Sequence, residues 1–127
     1  MQVLGHHIYE YQKGLRHLVL HTMKSEDMEF AQRKLSHYNV DYIVVPVTDR
    51  KINIFFGRKE CVDVVRTFCD KPLNELTAEQ DFILGIMLGY DRLAQCSRFL
   101  SRKPLDSSLS VECRSLGLEN YSDIGIA

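Results

Sequence analysis

Four of the five histidines lie near the start of the sequence, and a group of imidazole side chains can bind a metal ion or an anion. They are His6, His7, His17 and His21. If this region forms a β-hairpin with a three-residue turn at residues 12–14, His7 lies diagonally opposite His17 and His21, within about 7–8 Å on one face. We therefore predict a metal site formed by His7, His17 and His21.

The register of that hairpin decides whether the predicted metal site forms. A two-residue turn would pair His6 with His21 instead, since a shift of one residue moves every side chain to the other face. Glu10 is the carboxylate of this region that could complete the site. The competing interpretation is that these histidines are polar residues on the solvent face of a half-buried sheet.

A second feature is the apolar segment over residues 82–90, which holds two glycines four residues apart. In one continuous helix, Gly85 and Gly89 would share a face and leave a shallow groove for another backbone. Each glycine costs about 1 kcal/mol relative to alanine in a helix interior, and close packing is a natural compensation. The element that packs there is either part of the same domain or another subunit.

Several basic side chains follow the glycine segment. Arg98 and Arg102 are four residues apart, where like charges repel unless an anion lies between them. With Arg92 and Lys103 they could form a patch for an acidic partner, or they could simply complement the helix dipole. The predicted partner interface consists of Gly85, Gly89, Tyr90, Arg92, Arg98 and Arg102.

Motifs typical of enzymes are missing from the sequence. It contains no phosphate-binding P-loop, no dinucleotide-binding glycine pattern, no zinc-protease motif and no serine-hydrolase elbow. The four cysteines form no CxxC pair, and Cys61 and Cys69 are too far apart along a predicted helix to share a metal ion or a disulfide. We predict no catalytic residue and no cofactor, and lean towards a protein that is not an enzyme.

The composition is that of an ordinary globular domain. The chain has 127 residues, of which 45% are hydrophobic and 26% are charged. Its net charge of −1 argues against a dedicated nucleic-acid binder. Because no run of about 18 apolar residues and no leader-like start are present, we expect no membrane association and a cytoplasmic protein with reduced thiols.

Hydrophobic patterns in the first half predict two hairpins with a helix between them. The first hairpin covers residues 3–23, and a helix over residues 9–20 is the alternative that Gly14 makes less favourable. The helix covers residues 26–38, and Asn39 suits the left-handed position that closes it. The second hairpin lies within residues 41–57, where Pro46 indicates an edge strand.

Two further helices complete the predicted domain. One ends before Pro72, and the other begins at the capping box of Thr77 and Gln80 and continues to about Ser101. The order β-β-α-β-β-α-α predicts an α+β fold, in which an antiparallel four-stranded sheet carries its helices on one face. Residues 1–103 form a single domain, and residues 104–127 are predicted to be a flexible C-terminal tail.

Four stretches of the domain carry a resemblance to a known family. They are HHIYEY at residues 6–11, KGLR at 13–16, IFFG at 54–57 and DFILGIMLGYDRL at 81–93. Together they resemble a small uncharacterised bacterial family, a domain of unknown function. Genes of this family sometimes lie beside flavodoxin genes, so the resemblance implies a link to flavin-based electron transfer. It implies no catalytic residue.

Three functions are compatible with these observations. The first is an accessory interaction protein that forms a homodimer or binds an acidic flavodoxin-like protein, with Lys13 and Arg16 joining the predicted interface. The second is a metal- or flavin-binding enzyme built on the histidines of the first hairpin. The third is a small-ligand sensor domain with its effector at a subunit interface.

Overall fold

The computed structural model describes residues 2–103 of the chain. The predicted tail, residues 104–127, lies outside this range. The described part contains five α-helices and three β-strands, in the order α1 (Gln2–Gln12), β1 (Leu18–Lys24), α2 (Met28–His37), β2 (Asp41–Pro46), β3 (Lys51–Gly57), α3 (Lys59–Arg66), α4 (Ala78–Met87) and α5 (Arg92–Arg102). Short 3₁₀ turns precede α2 and α4, at Ser25–Asp27 and Leu73–Glu75. Within this range, no helix has the length and apolar character that a membrane span requires.

The sheet has three strands, in the order β1-β3-β2, and both neighbouring pairs are antiparallel. The prediction of four strands is therefore wrong, while the α+β class is confirmed. Strands β2 and β3 form the predicted second hairpin. Pro46 lies in β2 at the edge of the sheet, where a residue without an N–H group disturbs the ladder least.

The strand predicted over residues 3–11 is absent, because these residues belong to helix α1. Leu4 and Ile8 are four residues apart, and both are buried against the sheet. Gly14 ends this helix with a φ of +76°. The Leu15 N–H donates to the Glu10 carbonyl at 3.0 Å, which is the long bond of a Schellman motif. The glycine that indicated a hairpin turn thus follows the end of α1.

Helices cover both faces of the sheet, whereas one covered face was expected. The side chains of the central strand β3 alternate between the two layers. Ile54 and Phe56 pack in the layer that contains residues of α1 and α2. Phe55 packs in the opposite layer, with residues of α3 and α4. A strand buried on both faces has the nearly continuous apolar sequence seen here.

Local signals at two helix ends are confirmed. Asn39 follows α2 with a φ of +57°, as its predicted left-handed position requires. Thr77 and Gln80 form the predicted capping box at the start of α4, where each side chain bonds the other residue's backbone N–H at 3.1 Å. Both signals depend on a few adjacent residues, which is why the sequence alone shows them.

Substitution of Gly57 tests how closely β1 and β3 approach each other, and Gly14, which also has a positive φ, serves as the comparison. A Cβ atom on Gly57, whose φ is +149°, would collide with the His17 carbonyl oxygen, whereas a Cβ on Gly14 would meet nothing within 4 Å. We expect Gly57→Ala to lower the free energy of unfolding by about 3 kcal/mol or more, because strain and a backbone clash combine. Gly14→Ala should cost only about 1–2 kcal/mol. Urea denaturation measures both values, and equal costs would contradict the close approach at Gly57.

Candidate functional site

Helices α4 and α5 form an antiparallel hairpin, in place of the single helix predicted over residues 77–101. Gly89 follows α4 with a φ of +81°. The Tyr90 N–H donates to the Gly85 carbonyl at 3.1 Å, which closes another Schellman motif. The Asp91 carboxylate then accepts the Ala94 N–H at 2.9 Å and caps α5. The chain therefore reverses direction at residues 88–91.

The two glycines of the predicted interface have different roles in this hairpin. Gly85 is buried within α4, and a Cβ atom there would collide with the side-chain amide of Gln95 in α5. Gly89 lies beyond the end of α4 and is exposed. The two residues share no helix face, so the shallow groove expected between them is not formed. Close packing at Gly85 is satisfied by the protein's own α5.

Asp81 of α4 is the anion that lies between Arg98 and Arg102. The Arg98 guanidinium donates two hydrogen bonds to the Asp81 carboxylate, at 2.7 and 3.0 Å, and Arg102 Nη1 lies 3.6 Å from it. The hydrogen bond from Arg98 is the main cause that lowers the pKa of the Asp81 carboxyl. Arg102 also donates to the Leu76 carbonyl at 2.9 Å. Both predicted partner-binding arginines therefore hold the hairpin together.

The opposite side of α5 faces solvent and carries apolar residues. Leu93 and Leu100 are 75% and 45% exposed, and their spacing of seven residues places them on one side of the helix. Exposed Cys96 and Ser97 lie between them. We call these four residues the outer face of α5. This face was not predicted, because residues 77–101 were interpreted as one long helix, although leucines at i and i+7 after the Asp91 cap would have indicated it.

Charge on α5 is entirely basic. Residues 92–103 contain four basic side chains and no acidic one: Arg92, Arg98, Arg102 and Lys103. Arg98 and Arg102 contact Asp81, and Lys103 contacts Glu79. Arg92 is exposed and forms no ion pair with any residue that the structure describes. Tyr90, which completes the predicted interface, is 51% exposed in the turn before α5.

The structure brings two of the three predicted metal ligands together, by a different route. His7 lies on α1 and His21 on β1, with their ring centres 5.3 Å apart. His17 lies between these elements with an exposed side chain, and its carbonyl oxygen accepts the Arg58 N–H at 2.9 Å. Among residues 2–103, no three His, Cys, Asp or Glu side chains are arranged to hold a metal ion. The hairpin on which the site was based is absent, and metal binding itself stays a prediction.

Polar side chains of α1 and of the loop before β1 cluster around His7. The Glu10 carboxylate lies 3.3 Å from His7 Nδ1, 3.7 Å from His6 Nε2 and 3.9 Å from Arg16 Nη1. Burial, followed by the nearby charge of His7, lowers the pKa of His21. Protonation of His21 therefore opposes the packing of α1 on β1. Arg16, predicted as a partner contact, belongs to this cluster, and Lys13 lies over the Tyr9 ring.

The described residues define a small α+β domain, with a three-stranded sheet between two helical layers and a basic terminal hairpin. Residues 2–102 match the family described as "Protein of unknown function (DUF2023)", and the chain belongs to this family. The match includes every helix and strand given above. The sequence matches no curated protein.

The ion pair of Asp81 allows a test of what holds α5 on α4. We expect Asp81→Asn to lower the free energy of unfolding by about 1 kcal/mol, because it removes a two-point pair that is only partly shielded from solvent. Glu79→Gln, at the more exposed pair with Lys103, is the matched control and should lower stability less, since exposed ion pairs contribute little. The pKa of Asp81 is lowered by folding, so its contribution is present above about pH 4 and is lost as the pH falls further. Equal stability of the two variants in urea would contradict this role.

The lowered pKa of His21 predicts acid sensitivity in a range where carboxylates do not titrate. The unfolded chain binds a proton near the ordinary pKa of 6.5, whereas folded His21 binds it only at lower pH. Stability should therefore decrease as the pH falls below about 6.5. His21→Gln should flatten this dependence, while His37→Gln, on the exposed side of α2, should not. Urea midpoints between about pH 5.5 and 7.5 measure the effect, and parallel curves for wild type and His21→Gln would refute it.

Proposed function

We propose that this protein is a non-catalytic interaction protein that binds an acidic partner through the outer face of α5. The observation that carries the proposal is a stripe of exposed apolar residues on one side of α5, while the opposite side of this helix packs against α4. Leu93 is the most exposed large hydrophobic residue of the described chain. On the inner side, Phe99 packs edge-on against Phe82 at 5.5 Å, and Gln95 fills the space at Gly85.

The charges beside this stripe favour an acidic partner. Arg92 and Lys103 are eleven residues apart and lie within about 20° of each other around the helix axis, so both border the leucines on the same side. Lys103 contacts Glu79, whereas Arg92 forms no ion pair with any residue among 2–103. Residues 92–103 have no carboxylate that could repel an acidic surface. Complementary charge mainly increases association rate and selectivity, whereas the leucines supply apolar area.

The same arrangement disfavours a second copy of this chain as the occupant. Two α5 helices that pack antiparallel by their outer faces, around a two-fold axis perpendicular to them, place the same flank of each helix side by side. Arg92 and Lys103 of both copies would then lie together, and like charges at an interface oppose association. A homodimer, which the sequence suggested through the helix of Gly85 and Gly89, is therefore the alternative outcome of the test below, now through α5.

A flavodoxin-like protein is the partner that we propose, because the family resemblance implies a link to flavin-based electron transfer. Flavodoxins are commonly acidic, which fits the absence of carboxylates on α5 and an Arg92 that has no ion-pair partner among residues 2–103. In this proposal the protein is an accessory subunit, and no group of its own takes part in electron transfer.

Binding of the full chain to a purified flavodoxin from the same organism tests the proposal by calorimetry. We expect Leu93→Asp to weaken binding about tenfold or more, since it places a charge in the apolar stripe. Arg92→Glu should weaken binding several-fold at low salt and less at high salt. Leu15→Asp is the control and should bind as wild type. Leu15 is also largely exposed, at 69%, and it lies beside α1, away from the outer face of α5.

Two results would overturn the proposal. One is the absence of flavodoxin binding by the folded wild-type chain. The other is a concentration-dependent dimer that Leu93→Asp dissociates and Leu15→Asp does not, since the outer face would then bind a second copy. Circular dichroism of each variant establishes that the fold is retained.

A further inference from the structure

Asn53 is a polar residue in the middle of the apolar central strand β3. It is 6% exposed, and among residues 3–103 no other polar or charged residue is buried. Burial of an amide without hydrogen bonds costs free energy, whereas an apolar side chain of the same shape is often neutral or stabilising at such a position. The burial of Asn53 therefore requires hydrogen-bond partners for both ends of its amide.

Within the described domain, only the oxygen of this amide has a partner. The Thr22 hydroxyl donates to Asn53 Oδ1 at 2.6 Å. Thr22 lies across from Asn53 on β1, and Val45 lies across from it on β2. Because Oδ1 faces β1, the Nδ2 group points away from β1, and no residue among 2–103 accepts a hydrogen bond from it. No fully enclosed side-chain nitrogen of these residues lacks a partner, so Nδ2 reaches an open surface.

That surface is a pocket of about 520 Å³, which Asn53 lines. Residues 45–47, at the end of β2, form one apolar wall, and residues 72–73, at the turn before α4, form another. Asn74 and Glu75 complete the lining with exposed side chains, and no lysine or arginine belongs to it. A pocket of this volume, mostly apolar and with few polar groups, is typical of small-molecule sites.

The hydrogen-bonding groups that Asn53 leaves unused define the chemistry of a ligand. Its Nδ2 group is a donor, and the second lone pair of Oδ1 is an acceptor beside it in the same plane. These two groups match a ligand edge on which an acceptor lies beside an N–H donor, as when asparagine pairs with adenine. Glu75 would repel a phosphate or carboxylate, and no basic residue of the lining would pair with one.

We propose that this pocket binds an uncharged aromatic ring whose edge carries a hydrogen-bond donor beside an acceptor. The adenine of a nucleoside and the carboxamide of nicotinamide share this chemistry. Asn53 Nδ2 donates to the acceptor of the ring, Oδ1 accepts from its amino group, and Thr22 holds the amide in this orientation. The apolar walls contact the body of the ring. No residue of the outer face of α5 lines the pocket, so this binding is independent of the proposed function.

NMR titrations of the full chain with adenosine and, separately, with nicotinamide test the proposal. We expect at least one of the two compounds to shift the side-chain amide signals of Asn53 in a saturable manner. Asn53→Leu removes both hydrogen-bonding groups and keeps the shape, so it should weaken binding about tenfold or more, as measured from the backbone amides of Val45 and Leu73. The urea midpoint of this variant should equal or exceed that of the wild type, because the amide serves the ligand rather than the fold.

Two comparisons locate the binding without a change at Asn53. Purine riboside lacks the amino group of adenosine and should bind several-fold more weakly than adenosine if adenosine binds. Val47→Asp places a charge in one wall of the pocket and should weaken binding. Val3→Asp is the matched control, since Val3 and Val47 are 57% and 50% exposed and Val3 lies on α1, outside the pocket. If Asn53→Leu does not fold, this pair of valine variants decides the outcome.

Three outcomes would refute the proposal. The first is the absence of saturable shifts with both compounds. The second is equal affinity of folded Asn53→Leu and the wild type, which would separate binding from the amide. The third is equal affinity of Val47→Asp and Val3→Asp, since the compound would then bind elsewhere. Binding of adenosine alone or of nicotinamide alone supports the proposal and identifies which kind of ring the pocket takes.

Discussion

Strand β3 can be stable only if apolar groups cover both of its faces, and the other elements of the domain meet this requirement. Every residue from Ile52 to Gly57 is buried. Transfer of apolar surface out of water is the main favourable term in folding, so a strand of this composition needs a helical layer on each side. Helices α1 and α2 supply one layer, and α3 and α4 supply the other. The strands β1 and β2 provide its hydrogen-bonding partners and become the edges of the sheet.

The two edges of the sheet differ in how far their outward backbone groups are blocked or already hydrogen-bonded. Strand β2 contains Pro46, and the Tyr42 carbonyl accepts a hydrogen bond from Arg66 of α3 at 3.1 Å, so part of that edge is already occupied or blunted. Strand β1 has no proline, and it pairs with β3 on one side only among residues 2–103. Edge strands of this kind tend to pair with another segment.

Sequence reasoning succeeded where structure depends on adjacent residues and failed where it depends on distant ones. The capping box at Thr77, the closure of α2 at Asn39 and the hairpin of β2 and β3 were all predicted, since each is set by local chemistry. Helix α1 was missed because residues 3–11 contain many β-forming side chains, and burial of Leu4 and Ile8 against a sheet formed later in the chain outweighs that preference. The break at Gly89 was missed because glycine suits both a close contact inside a helix and the residue after its end.

The same distinction explains the candidate site. Arg98 and Arg102 were predicted to repel each other unless an anion lies between them. Asp81 of the same domain is that anion. Only a reversal of the chain at Gly89 brings Asp81 opposite these arginines, so no local pattern could show it. Once the arginines are paired inward, the residues left for a partner are those on the opposite side of the helix. The exposure of the outer-face leucines and of Arg92 follows from the hairpin geometry, and the proposed interaction surface is therefore a consequence of how α5 is held on α4.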